Sequence, residues 1–154
     1  MNIMRRKDRE ISEQEAVELL DKAEYGVLST VDKSGQPYGI PLSYVYKDSA
    51  IYFHCAVDGQ KLNNIANNSK VSFCVTGSTI VLPETFGTLY ESAVVFGIAS
   101  EVFDDERHQA LVWLLEKYCT DFMEGGLHYI ELKNKVTKVI KIEISQISGK
   151  ARRK

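Results

Sequence analysis

His54 and Lys61 stand on either side of an Asp58-Gly59 break in the stretch IYFHCAVDGQKL at 51–62. An imidazole and an ammonium so placed suit an oxyanion if the backbone between them turns sharply. Alternation of period two puts Ile51, Phe53 and Cys55 on one face of a strand and Tyr52, His54 and Ala56 on the other. Beyond the break, Leu62, Ile65 and Ala66 recur at helical spacing over 60–68. The first turn of such a helix aims unpaired N–H groups back at the strand end. Those donors, the positive end of the helix dipole, Lys61 and His54 together fit a phosphate. The same residues also read as an ordinary strand–turn–helix connection, with Lys61 solvated and His54 a satisfied core histidine, and the spacing leaves both readings open.

The elements that must position this stretch are mostly strands. Ser12 and Glu15 form the S-x-x-E capping pattern, and Ala16, Val17, Leu19, Leu20 and Ala23 give the apolar stripe of a first helix that ends before Gly26. Strands are predicted over 25–32, 37–47, 50–56, 70–76, 89–103 and 137–147, with turns at Lys33-Ser34-Gly35 and Asp48-Ser49. A helix capped by Asp104 or Asp105 carries Ala110, Leu111, Leu114, Leu115 and Tyr118 on one face, with Trp113 at its edge. The stretch 77–88 reads as loop. So does 120–135, where Gly125-Gly126 interrupts any pattern. Pro41 cannot donate to a ladder, which makes its position an edge, a bulge or a place where a ligand replaces a neighbouring strand. In the last case Leu42, Ser43 and Tyr44 offer backbone groups to a flat polar molecule; an ordinary protected edge strand is the competing reading. Six strands with hairpin-length connections and inserted helices point to a mainly β, antiparallel barrel with peripheral helices.

Composition narrows the function classes. The chain has 154 residues, 44% of them hydrophobic, enough for one compact domain over 1–154. A formal net charge of −2 gives no general attraction to nucleic acid or acidic lipid, and Lys150, Arg152, Arg153 and Lys154 read as a solvated basic tail. No segment has the length and apolarity of a membrane span or signal core, so a cytoplasmic protein is expected, with no membrane or nucleic-acid partner. Cys55, Cys74 and Cys119 are odd in number and widely spaced, which argues for reduced thiols and against a zinc site. His108 and His128 have no neighbours at metal-ligand spacing, and no metal is expected. Neither G-x-G-x-x-G nor a P-loop is present.

Five motifs in order give a resemblance. They are G-x-P-x-x-x-P at 35–41, the IYFHCAVDGQK segment, the short helix followed by NNSKVSF, the SAVVFGIASEV strand and the closing ISGKAR. Together the chain resembles the pyridoxamine 5′-phosphate oxidase-like family of FMN-binding split barrels, and within it the branch of nitroimidazole-resistance (Nim-type) proteins. The resemblance implies a six-stranded antiparallel split β-barrel and a homodimer with a flavin at the subunit interface. It implies a phosphate contact from His54, Cys55 and Lys61, with Ala56 and Leu62 also cofactor-binding, backbone facing the flavin ring from Pro41, Leu42, Ser43 and Tyr44, and a partner contribution from Ser92 and Val94. His54 matches the histidine of the branch's F-H-x-A context. A binding role for it is expected, with proton donation to a substrate as the other possibility. Gln60 stands where the vitamin B6 oxidase resembled has an arginine, so oxidation of pyridoxamine phosphate is not expected. The loss of a bidentate phosphate contact also admits FAD in place of FMN. The implied activity is transfer of electrons from a reduced nicotinamide through the flavin to a small oxidised acceptor such as a nitroaromatic. A flavin-binding or sensing protein without turnover, or a heme-handling split barrel, are the alternatives.

Overall fold

A computed structural model describes residues 3–154. In chain order its principal elements are β1 (Glu10–Ile11), α1 (Glu13–Lys22), β2 (Gly26–Val31), β3 (Pro37–Leu42), β4 (Val45–Lys47), β5 (Ala50–Cys55), α2 (Gln60–Asn67), β6 (Lys70–Thr76), β7 (Ile80–Leu82), β8 (Gly87–Val102), α3 (Asp104–Tyr118), α4 (Met123–Leu132) and β9 (Lys138–Arg152). All pairings are antiparallel, and the main strand order is β3-β2-β6-β8-β9-β5-β4, with β1 on β9 and β7 on β8. The mainly β antiparallel class expected from the sequence is the one found, but with nine strands among the described residues where six were expected.

The extra strands have local causes. The predicted strand 37–47 is two, β3 and β4, because the chain leaves one end of the strand order after Leu42 and joins the other end at Val45. Ser43 and Tyr44 thus link the two free edges. Periodicity could not reveal this, since apolar residues continue through the break. Asp48 and Ser49 both have positive φ, 50° and 62°, as a two-residue hairpin between β4 and β5 requires. Within 77–88, read as loop, β7 pairs with the start of β8. Within 120–135, also read as irregular, α4 forms across Gly125-Gly126. Gly126 is where α4 meets α3: a Cβ there would stand 2.6 Å from a Leu115 methyl. The basic tail is solvated only in part: Arg153 and Lys154 are exposed as expected, whereas Lys150 and Arg152 are half-buried. Lys150 and Arg152 belong to β9 opposite Ser92 and Tyr90, and Arg153 forms ion pairs with Glu15 and Glu91 at 3.0 and 3.4 Å.

Two apolar clusters hold the fold. Inside the barrel, Leu28, Phe73 and Val95 lie opposite one another across β2, β6 and β8, joined by Ile51 and Phe53 of β5 and Ile140 and Ile142 of β9. Outside it, α3 packs Ala110, Leu111 and Leu114 on Val45, Ala50, Tyr52 and Val139. β5 is therefore buried on both faces over Ala50–Phe53, while His54 near its end is exposed. The Ser12–Glu15 capping box forms as expected, whereas α3 has no side-chain cap: its N-cap residue is Phe103, and Asp104, Asp105 and Glu106 lie in the first turn.

The C-terminal end of α1 anchors this arrangement. Its orphan carbonyls are met from three directions. Tyr44 Oη donates to Leu20 O, Lys117 Nζ donates to Ala23 O at 2.8 Å, and Tyr118 Oη lies 2.5 Å from Glu24 O. Lys117 also donates to Tyr44 O at 2.9 Å and sits 3.9 Å from the centre of the Tyr44 ring. Tyr44 is fully buried, edge-on to Phe73.

Two outcomes follow from this hub. Tyr44→Phe removes a buried hydroxyl that satisfies a helix-end carbonyl and should cost about 1–3 kcal/mol in urea unfolding; an unchanged midpoint and slope would show that water replaces it. Burial lowers the Lys117 ammonium pKa to about 8, with Asp21 opposing. Below that pH both folded and unfolded chains carry the proton, and between about 8 and 10.5 the unfolded chain binds it more tightly. The stability difference between the native protein and Lys117→Met should therefore rise with pH across that window, as read by denaturant melts from pH 7 to 10.5. A pH-independent difference would mean that Lys117 keeps an ordinary affinity for its proton.

Candidate functional site

β5 ends at Cys55, and the segment 56–59 swings into α2 through Gly59, whose φ is 148°. A side chain would be strained there, and glycine makes the turn available. Gly59 is also the N-cap of α2 and supplies no side-chain cap. The amide groups at 60–62 are left pointing out of the first turn, with the positive end of the helix dipole behind them. Lys61 is half-buried beside them and forms no ion pair among the described residues.

Charge couples the members of this turn. Burial lowers the His54 imidazole pKa, and the Lys61 ammonium lowers it further. Burial raises the Cys55 thiol pKa, while Lys61 and Lys138 pull it back. Lys61 is thus close enough to act on both, and an anion placed among these groups would relieve the repulsion between an imidazolium and an ammonium. Gln60 turns the other way. Its amide donates to Asn64 Oδ1 at 2.8 Å, and the buried Asn64 donates to Thr30 Oγ1 at 2.9 Å, pinning α2 to β2. Leu62 packs against the barrel core. Unpaired amide donors, a lysine without an ion pair among the described residues and a neighbouring imidazole at one turn suit a phosphate-bearing cofactor, so the residues fit such a group.

The other expected residues fall in separate places. Ser43 joins His54 in the lining of an open cavity of about 350 Å³ bounded by α3, α4 and the outer face of β5. The walls are largely Leu111, Leu114, Leu115 and Ile130, with Tyr118, Tyr129 and Lys133 also present. The Tyr44 side chain is in the core, and both its backbone groups are engaged by α3: its N–H donates to Tyr118 Oη at 3.0 Å and its carbonyl accepts from Lys117. Of the backbone groups expected to be free, those of Tyr44 are therefore taken. Pro41 lies exposed on β3, opposite Val27 on the outer face of the sheet. That row continues through Cys74 to Val94, and Ser92 lies further along the same face of β8. Ser92 and Val94 are not brought to His54 within one protomer, since β9 separates β8 from β5.

Leu111, Leu114, Leu115, Ile130 and Lys133 were not singled out as site residues from the sequence. The first three read only as a helix core stripe. The last two lie in the segment that Gly125-Gly126 made look irregular.

An antiparallel barrel closed by an edge-to-edge crossover, with a donor-rich strand–helix turn on its rim, defines a split-barrel protein. A profile of the pyridoxamine 5′-phosphate oxidase family matches residues 12–151, and the chain belongs to that family. Among solved structures, a proposed 5-nitroimidazole antibiotic resistance protein from Bacteroides thetaiotaomicron shares 21% identity over 92% of this chain and 86% of its own, with a TM-score of 0.76. A conserved hypothetical protein from Mycobacterium tuberculosis shares 20% over 96% and 90%, with a TM-score of 0.80. An FAD-binding protein from Mesorhizobium loti shares 26% over 94% and 98%, with a TM-score of 0.68. No curated protein matches the chain. Among the described residues no helix is long and apolar enough to cross a membrane.

Proposed function

We propose that the chain is one flavin-binding domain, acting as a cytoplasmic homodimeric oxidoreductase that passes electrons from a reduced nicotinamide to a small oxidised acceptor, a nitroaromatic such as a 5-nitroimidazole foremost. The observation that carries this reading is the uncapped first turn of α2 beside Lys61 and His54. Membership of the family and the likeness to an FAD-binding protein support a flavin as the phosphate-bearing group. In this reading Lys61 and the amides of the first turn bind the phosphate, His54 donates a hydrogen bond to it, and Cys55, Ala56 and Leu62 shape the turn. The backbone at Pro41, Leu42 and Ser43 faces the ring, with Tyr44 fixing that backbone from behind. Ser92 and Val94 come from the second subunit. A bound flavin supplies the hydride and electron transfer, and the protein supplies position and exclusion of water. FMN is the first choice. The 26% identity to an FAD-binding protein and the absence of an arginine at Gln60 favour FAD as the second.

The second subunit has a surface to use. Val27, Val94, Phe96 and Ile98 are all more than a third exposed and lie together on the outer face of β2 and β8 around Cys74, an apolar patch at the sheet centre.

The visible spectrum of the purified protein, identification of the released cofactor, and oxidation of NADH or NADPH with a 5-nitroimidazole test the reading. A flavin spectrum with acceptor-dependent oxidation is expected, and a heme spectrum or a colourless protein that takes up neither flavin would overturn it. Lys61→Ala should weaken flavin binding by about 1.5–3 kcal/mol, the scale of a hydrogen bond to a charged group, in a fluorescence titration; unchanged affinity would move the phosphate elsewhere. Sedimentation should show a dimer, and a stable monomer that retains its flavin would remove the interface from the site.

A further inference from the structure

The cavity behind β5 is not required to hold a phosphate, yet it shares His54 and Ser43 with the candidate flavin edge. Its volume, about 350 Å³, lies in the range of small-molecule sites. Its chemistry is one-sided. The walls from α3 and α4 are largely apolar, with Leu111, Leu114, Leu115 and Ile130 beside the rings of Tyr118 and Tyr129; the polar groups are the hydroxyls of Ser43, Thr137 and the two tyrosines, His54 and Lys133, and among the described residues no carboxylate lines it. The space is also held open by fixed contacts. Arg107 on α3 donates to Asn134 Oδ1 at 2.6 Å and to the carbonyls of Asn134 and Thr137 at 2.8 Å, fastening the segment after α4. Tyr52 Oη and Lys141 Nζ hold Glu106 at 2.8 and 3.1 Å, fastening the start of α3 to the barrel.

We propose that this cavity is an acceptor site for a small planar aromatic molecule bearing a carboxylate or nitro group, its ring between the leucines of α3 and Ile130 of α4 and its paired oxygens toward Lys133 or His54. Burial of a flat ring between largely apolar walls supplies affinity, and the Lys133 ammonium with no opposing acid in the lining selects a group with negative charge on paired oxygens over a cation. The site deepens the oxidoreductase reading, on which its adjacency to a flavin rests, although the cavity itself does not depend on a bound cofactor.

Equilibrium dialysis of 4-nitrobenzoate and of neutral 4-nitrobenzamide against the purified protein tests this, with flavin content per chain measured in parallel. Ile130→Trp fills the space from α4, where no residue is fully buried, and should weaken both probes at least about tenfold with flavin content unchanged. Lys133→Glu should weaken 4-nitrobenzoate at least about threefold more than 4-nitrobenzamide. Leu115→Phe, filling from α3, serves if the tryptophan variant loses its near-ultraviolet dichroism. Undiminished probe binding in a folded cavity-filled variant overturns the proposal. So does loss of flavin in step with loss of probe, which would make the cavity part of the cofactor site. A protein that carries no flavin but binds the probes and loses them on filling would uphold the cavity and overturn only the cofactor reading.

Discussion

The barrel depends on how its two open edges are brought together. β3 and β4 lie at opposite ends of the strand order yet are separated along the chain only by Ser43 and Tyr44. An edge strand exposes unpaired amides and carbonyls, and here the two edges, β3 paired only with β2 and β4 only with β5, are joined by the chain itself. The crossing needs an anchor, and Tyr44 provides it by filling the barrel against Phe73 while its hydroxyl meets the end of α1. Lys117 and Tyr118 lock the Tyr44 backbone from outside. One tyrosine thus ties together the barrel core, the first helix and the long third helix.

The candidate site inherits its shape from the same closure. β5 has the barrel core on one side and α3 on the other, so its alternate residues serve different compartments. Phe53 and Cys55 belong to the interior. Tyr52 faces α3, and His54, one pleat further along, reaches the point where the helical cover gives way to the turn into α2. The histidine is therefore at the junction of an apolar cavity and a donor-rich turn, with its proton affinity lowered by both burial and Lys61.

Much of this was legible in the residues. The alternation at 51–56, the Asp58-Gly59 break and the capping pattern at Ser12 are local signals, and local signals survive in a sequence. The antiparallel class was legible because hairpin-length connections exclude parallel crossovers. What was not legible is non-local. The division of 37–47 into two strands is set by which partners they meet, not by their own periodicity. Helix α4 forms over two glycines because Gly126 permits close packing on Leu115, a tertiary reward that intrinsic propensity cannot display. The closing strand, expected over 137–147, runs on to Arg152, because residues 148–152 pair with β8 beyond a bulge at Phe96-Gly97; Gly149 lies opposite Ala93, and a Cβ there would stand 2.6 Å from Ile11.

That closing strand gives the fold a temporal order. β9 pairs with β1, β5 and β8, so it is the central seam between the half of the sheet that begins at β3 and the half that ends at β4. It is also the last of these elements along the chain. While the polypeptide is being synthesised, β8 and β5 each wait with an unpaired edge until residues 138–152 leave the ribosome, and the barrel closes only after translation has passed them.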